Sequence, residues 1–178
     1  MPSNIYLVVN SHSHMESFDI LLVDDSPADA KLFQESLTEV SSRVRVYWVG
    51  SGEEAIEFLN QQGRFVGIGP VKMVLLDLNM PGMDGIETLR RLKMNPVVNR
   101  VPVVVFSSSR APQEVDLAYS LGANAFFSKP LSLESYVQKA RIMVQHWLDC
   151  AELPTPVQVR SERRMHDRVE SIGDHFAS

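Results

Sequence analysis

The chain has 178 residues, 44% of them hydrophobic, which is enough for one well-filled core and short of two. A net charge of −5 and a pI near 5.5 argue against a basic footprint for nucleic acid or for an anionic membrane surface. The single cysteine, Cys150, excludes an intrachain disulfide and a thiolate metal cluster, and fits a reducing cytoplasm. The longest apolar runs, such as Val101 to Phe106, fall far below the ~20 residues that span a bilayer.

Residues 1–17 form an extension that does not fit the pattern after it. Ile5 to Val9 has strand character but is too short for a secretory core and has no Lys or Arg before it. His12 and His14 read as solvated residues, because no Cys or carboxylate cluster completes a metal site around them. Regular structure begins at Phe18. Ile20 to Val23 is an uninterrupted apolar run, as expected of a parallel strand covered on both faces, and it ends in Asp24 and Asp25. Ser26 then caps a helix with Pro27 at its first position and Asp29 at capping-box spacing; Leu32, Phe33, Leu37 and Val40 follow at helical intervals. Val44 to Val49 is a second strand, and Ser51 with Glu54 opens a second helix that runs through Asn60.

The glycine-bearing stretch from Gln61 to Pro70 reads as loop. The third strand leads from Val71 to Leu76 and delivers Asp77 to the rim of the sheet, after which the chain turns on Pro81, Gly82 and Gly85. Ile86, Leu89 and Leu92 mark a third helix that ends near Asn95 and Pro96. Val101 to Phe106 is the fourth strand and terminates in Ser107, Ser108 and Ser109. Pro112 opens a fourth helix, closed by Gly122. Ala125 to Phe127 is a short fifth strand ending in Ser128, Lys129 and Pro130, and Ser132 caps a last helix through Asp149.

Five strands alternating with five helices predict an α/β fold: a doubly wound, five-stranded parallel sheet. In such a sheet ligands bind at the carboxyl ends of the strands, where strand order reverses. Asp24, Asp25, Asp77, Ser107 and Lys129 all fall on that edge. With order 2-1-3-4-5, strands one and three are neighbours and three carboxylates meet. Crowded acids raise one another's pKa unless a cation is present. Oxygen ligands without His or Cys suit a hard ion, and Mg²⁺ fits best.

Residues 18–149 resemble the response-regulator receiver domain, a flavodoxin-like, CheY-like fold. The likeness rests on Leu22-Val23-Asp24-Asp25-Ser26-Pro27, on Leu76-Asp77-Leu78-Asn79-Met80-Pro81-Gly82-Met83-Asp84-Gly85, on Val104-Val105-Phe106-Ser107-Ser108 and on Ser128-Lys129-Pro130. The resemblance implies that Asp77 accepts a phosphoryl group from a phosphohistidine of a sensor histidine kinase. It implies Mg²⁺ bound directly by Asp25, Asp77 and the Asn79 carbonyl, with Asp24 acting mainly through water. Lys129 would neutralise the phosphoryl oxygens, with the Lys129–Pro130 bond cis as is typical of the family. Ser107 would be the hydroxyl of the switch and Phe126 its aromatic, here without a polar tip; Asn79 and Ser109 fall where the family tunes phosphoryl lifetime. No enzymatic turnover beyond self-phosphorylation and self-dephosphorylation is implied. A haloacid-type phosphatase would carry a second Asp where Asn79 stands, and a receiver-like interaction module acting without phosphorylation would have lost site residues that are all present here.

The 28 residues after Cys150 leave no room for a DNA-binding output domain, so residues 150–178 read as a solvated tail in which Arg160, Arg163, Arg164 and Arg168 mix with Glu162, Asp167 and Glu170. Output is therefore expected through protein contacts. The stripe on the last helix is wider than the roughly 100° that docking on a sheet uses. Leu133, Val137, Ala140 and Val144 account for the core; Tyr136, Met143 and Trp147 are expected as a partly exposed edge supporting a homodimer through the fourth helix, fifth strand and fifth helix. The wording around Asp24 to Ala30 and Glu53 to Leu59 resembles small stand-alone regulators paired with bacterial phytochrome kinases. Kinase recognition is then expected at Pro27, Ala28, Lys31 and the Pro130 loop.

Overall fold

In a computed structural model the described residues are 17–37 and 42–155. Val40, the histidines at 12 and 14, the Ile5 to Val9 segment and the arginines of the tail lie outside them. The elements are β1 (Phe18–Val23), α1 (Pro27–Leu37), β2 (Val44–Val49), α2 (Gly52–Leu59), β3 (Met73–Leu76), α3 (Gly85–Met94), β4 (Val103–Ser107), α4 (Pro112–Ser120), β5 (Ala125–Ser128) and α5 (Leu133–Asp149). The strands pair in parallel in the order β2-β1-β3-β4-β5.

Burial explains the consecutive apolar runs. Every residue of β1, β3 and β4 is buried, because helices cover both faces of these inner strands. Successive side chains point to opposite faces, so each strand feeds two cores. Leu21, Val23, Val74, Leu76 and Val105 pack under α2 and α3 with Phe58, Leu89 and Leu92. Ile20, Leu22, Leu75, Val104 and Phe106 pack under α1 and α5 with Phe33, Ala140 and Val144. Each fully buried aliphatic side chain contributes roughly 1.5–3 kcal/mol, and this two-sided burial fixes the height at which each strand delivers its last residue.

Local signals set the helix ends. Ser51 accepts the Glu54 N–H at 3.2 Å, while the Glu54 carboxylate reaches one residue further back than a capping box would, to Gly50 N at 3.0 Å. Asp84 caps α3 by accepting from Glu87 N at 2.8 Å, and Gly122, at φ +94°, closes α4. The stretch read as loop contains one 3₁₀ turn, Gly63–Phe65, because Phe65 is buried with its ring 5.2 Å from that of Phe58.

The face of α5 differs from expectation. Tyr136 and Met143 are buried with Ala140 and Val144, whereas Leu133 is 64% exposed and Ile142 59%. The cause lies at the start of the helix. Tyr136 packs its ring against that of Phe106 on β4, centroids 5.2 Å apart and tilted by 52°, so this face of the helix meets the sheet while Leu133, one turn earlier, stays exposed. Tyr136 and Met143 therefore belong to the protomer's own core, and only Trp147 of the three is half-buried, packed at the edge of that core.

Candidate functional site

Register brings the acids together. Val23 on β1 pairs with Leu76 on β3, so the residues that follow them, Asp24 and Asp77, leave the sheet at the same height. Asp77 N donates to Val23 O at 2.9 Å and Asp24 N to Val49 O at 3.1 Å, which continues the ladder one step past each strand. Asp24 and Asp77 are buried, Asp25 is exposed, and oxygens of the three approach within 4.8 Å of one another. Trp48, at the end of β2, donates its indole N–H to Asp24 O at 2.7 Å and steadies the acidic loop from the side.

Lys129 reaches this cluster from β5. Its backbone N–H donates to Ser107 O at 2.7 Å, and its buried Nζ lies 2.7 Å from Asp24 Oδ2, 2.7 Å from Asp29 Oδ2 and 2.8 Å from Asp77 Oδ2. Burial works against the ammonium, but the Asp24, Asp29 and Asp77 carboxylates more than reverse this and hold its pKa well above the ordinary 10.5. Lys129 is charged at any working pH. The expected cis bond is not found: the Lys129–Pro130 peptide is trans, and the ammonium reaches all three acids from that geometry.

Asp29 was legible only as part of a helix cap. Its backbone N–H does donate to Ser26 Oγ at 3.2 Å, but its carboxylate turns away to Lys129, and the Ser26 N–H is taken by Asp24 Oδ1 at 2.9 Å. The one available signal was its place in the first turn of the helix that directly follows Asp24 and Asp25.

Asn79 organises the opposite wall. Its N–H donates to Asp77 Oδ1 at 3.2 Å, and its amide Nδ2 bridges Ser107 Oγ at 3.1 Å and Ser108 Oγ at 3.2 Å. Ser107 is fully buried and also accepts from Ser109 N at 3.4 Å, so the end of β4 is tied to the loop after β3. Phe126 is half-buried against the α3–α4 side of the core, and its N–H donates to Tyr119 Oη at 3.2 Å. Behind Asp77 the backbone is tightly packed, because Gly85 at the start of α3 donates its N–H to Leu78 O at 3.0 Å.

The cluster fits a divalent cation on its own chemistry. Burial raises the pKa of Asp24, Lys129 pulls it back only in part, and Asp77 adds to the rise. The ionised form of Asp24 is thus held at a cost that a hard cation on carboxylate oxygens would relieve.

A doubly wound parallel sheet with three carboxylates and one lysine at its carboxyl edge places a ligand site where such sheets bind ligands, with acids for a cation and an ammonium for an anionic group. The chain belongs to the response regulator receiver domain family, whose model matches residues 20–141. Response regulator Rcp1 of Synechocystis sp. is 36% identical over 135 residues, covering 76% of this chain and 92% of that protein. Among solved structures, the phosphorylated cyanobacterial phytochrome response regulator RcpA superposes with a TM-score of 0.75 at 34% identity, over 78% of this chain and 99% of that one. The Mn²⁺-bound form of Rcp1 follows with a TM-score of 0.73 at 35% identity, over 77% of this chain and 99% of that one. Among the described residues no helix is long and apolar enough to cross a membrane.

Proposed function

We propose that this response regulator accepts a phosphoryl group on Asp77 from a phosphohistidine of a sensor histidine kinase in the cytoplasm, and signals by protein contacts made by residues 18–149. The observation that carries the reading is the Lys129 ammonium, held 2.8 Å from Asp77 Oδ2 beside Asp24 and Asp25. A carboxylate oxygen of Asp77 forms the new O–P bond as the P–N bond breaks, and the bonding pair leaves with the imidazole nitrogen. Such a transfer needs positioning and neutralisation of the equatorial oxygens more than covalent chemistry. Lys129 supplies one positive charge there, and the Ser107 hydroxyl, presented by Asn79, supplies a hydrogen bond. Asp24, Asp25, Asp77 and the Asn79 carbonyl would hold Mg²⁺, which when bound neutralises charge on the incoming phosphoryl group.

Similarity to RcpA, and to the bacteriophytochrome response regulator RtBRR at 27% identity over 91% of this chain, supports a phytochrome-type kinase as the partner. No turnover of exogenous phosphoesters is expected. The homodimer surface moves with the corrected face of α5: Leu117, Tyr119, Leu131 and Leu133 are exposed on or beside α4, β5 and α5 and replace Tyr136 and Met143. Light scattering with and without beryllofluoride tests that surface, and a monomer in both states rejects it. Intact mass after incubation with acetyl phosphate and Mg²⁺ tests the site. Wild type should gain one phosphoryl group and Asp77→Asn none; equal gain by both would place the acceptor elsewhere.

A further inference from the structure

We propose that Asp29 is a positioning residue for phosphoryl transfer, anchoring the Lys129 ammonium to α1 while its other partners are drawn into the reaction. The proposal rests on the reading of Asp77 as the acceptor. An ammonium has three N–H donors and no acceptor. All three point at carboxylates, those of Asp24, Asp29 and Asp77. Two of these acids have other duties: Asp77 is to be phosphorylated, and Asp24 belongs with Asp25 and Asp77 to the cluster that fits a cation. Asp29 stands outside that cluster, so its pairing with Lys129 persists when the others change.

The anchor is itself fixed. Asp29 sits in the first turn of α1, with its N–H on Ser26 Oγ, and its carbonyl faces the buried Tyr136 hydroxyl at 3.5 Å. Its side chain is 37% exposed, so it is the one member of the trio that meets solvent, and the ammonium is stretched between the buried acids and the helix. A lysine stem has several rotatable bonds and is poorly directed by a single contact. Without Asp29, Lys129 would keep only Asp24 and Asp77, the two partners whose charge is engaged by the reaction and the cation, and no fixed acceptor would hold the ammonium toward α1 as they change.

The test compares wild type, Asp29→Ala and Asp29→Asn, all checked for folding by circular dichroism. Initial phosphorylation by acetyl phosphate is followed at saturating Mg²⁺, Mg²⁺ affinity is measured separately by calorimetry, and the Lys129 Nζ–H resonance is observed in metal-free, ¹⁵N-labelled protein. Asp29→Ala should lower the saturated rate on the order of tenfold and broaden or lose the ammonium resonance, with Mg²⁺ affinity changed less than about threefold. Asp29→Asn, which keeps an acceptor oxygen in place, should fall between. A saturated rate within about twofold of wild type would overturn the proposal. So would a defect that vanishes at high Mg²⁺, since Asp29 would then act only as charge for the metal. If wild type gains no phosphoryl group, the Asp77 reading fails and takes this one with it; if wild type reacts and Asp29→Ala reacts equally, only this one fails.

Discussion

Gly85→Ala is the substitution for which packing and site geometry give the sharpest joint expectation. A Cβ on Gly85 would lie 2.2 Å from Asp77 O and 2.5 Å from Leu78 Cα. Ordinary contact is above about 3.4 Å, so α3 must retreat by roughly 1 Å, and both obstructing atoms are backbone that cannot swing aside. Overpacking of this kind costs about 1–3 kcal/mol, and a rigid neighbour places it at the upper end. Retreat also stretches the Gly85 N–H to Leu78 O bond, worth ~1 kcal/mol. A total of about 3–4 kcal/mol, at an m-value of ~2 kcal/mol/M, lowers the urea midpoint by roughly 1.5–2 M. Gly82→Ala is the control. There φ is +78° but the nearest atom to a Cβ is 3.9 Å away, so only backbone strain of about 1 kcal/mol is expected. A Gly85→Ala midpoint no lower than that of Gly82→Ala would refute the argument from close approach.

Lys129→Met should slow phosphoryl uptake on the order of 10²-fold, measured by intact mass against time. Because the folded pKa of Lys129 is raised, its stabilisation is complete below about pH 10.5 and declines as pH rises above it, so the gap between the urea midpoints of wild type and Lys129→Met should stay constant up to about pH 10 and begin to narrow above about pH 10.5. Parallel curves would reject the ion-pair account. Mg²⁺ should alter Trp48 fluorescence in a Trp147→Phe background, since the indole holds the Asp24 carbonyl, and Asp25→Asn should weaken the response by tenfold or more. An unchanged midpoint in Asp25→Asn would remove that acid from the metal site. Tyr136→Ala should cost about 3–5 kcal/mol in urea unfolding and Leu133→Ser less than about 0.5, reversing the order that the helical stripe implied; equal costs would contradict the observed burial of Tyr136 and exposure of Leu133.

What could be read from the sequence was local. The runs at Ile20 to Val23 and Val101 to Phe106 are apolar on consecutive residues, which only a strand covered on both faces requires, so the sheet and its functional edge followed at once. Asp24, Asp25, Asp77 and Lys129 each close a strand, and the topology brings them together without further information. Asp29 was hidden because a carboxylate three residues after Ser26 already satisfies a cap pattern, and its actual partner stands 100 residues away. The stripe on α5 shows that the helix has a buried face but not which edge of it meets the sheet. That depends on Phe106, a residue of another element. Lys93 is similar: its ammonium, its pKa lowered by burial, donates to Asn99 O, Val101 O and Asn124 Oδ1, acceptors gathered from two later loops that no local pattern relates to it.

The aromatic of the proposed switch shows how the missing chemistry can be supplied by a neighbour. Phe126 has no hydroxyl with which to hold a position, yet its backbone N–H is bound by Tyr119 Oη from the last turn of α4. β5 is an edge strand, so that N–H would otherwise face water, and the phenol both satisfies it and ties β5 to α4. On the same side of the sheet, Ser107 is tied through Asn79 to the loop that carries Asp77. A movement of the β4 end toward a phosphoryl group must therefore exchange the Asn79 contact, and any accompanying shift of β5 must break or carry along the Tyr119 contact. The Tyr119 tie is one hydrogen bond and the Asn79 tie two, each worth about 1 kcal/mol, which is small enough for one phosphoryl group with its two or three charge-assisted bonds to outweigh. The phenol of Tyr119 on α4 thus supplies the polar contact that the ring of Phe126 lacks, and one backbone amide joins β5 to the helix whose Leu117 and Tyr119 are exposed.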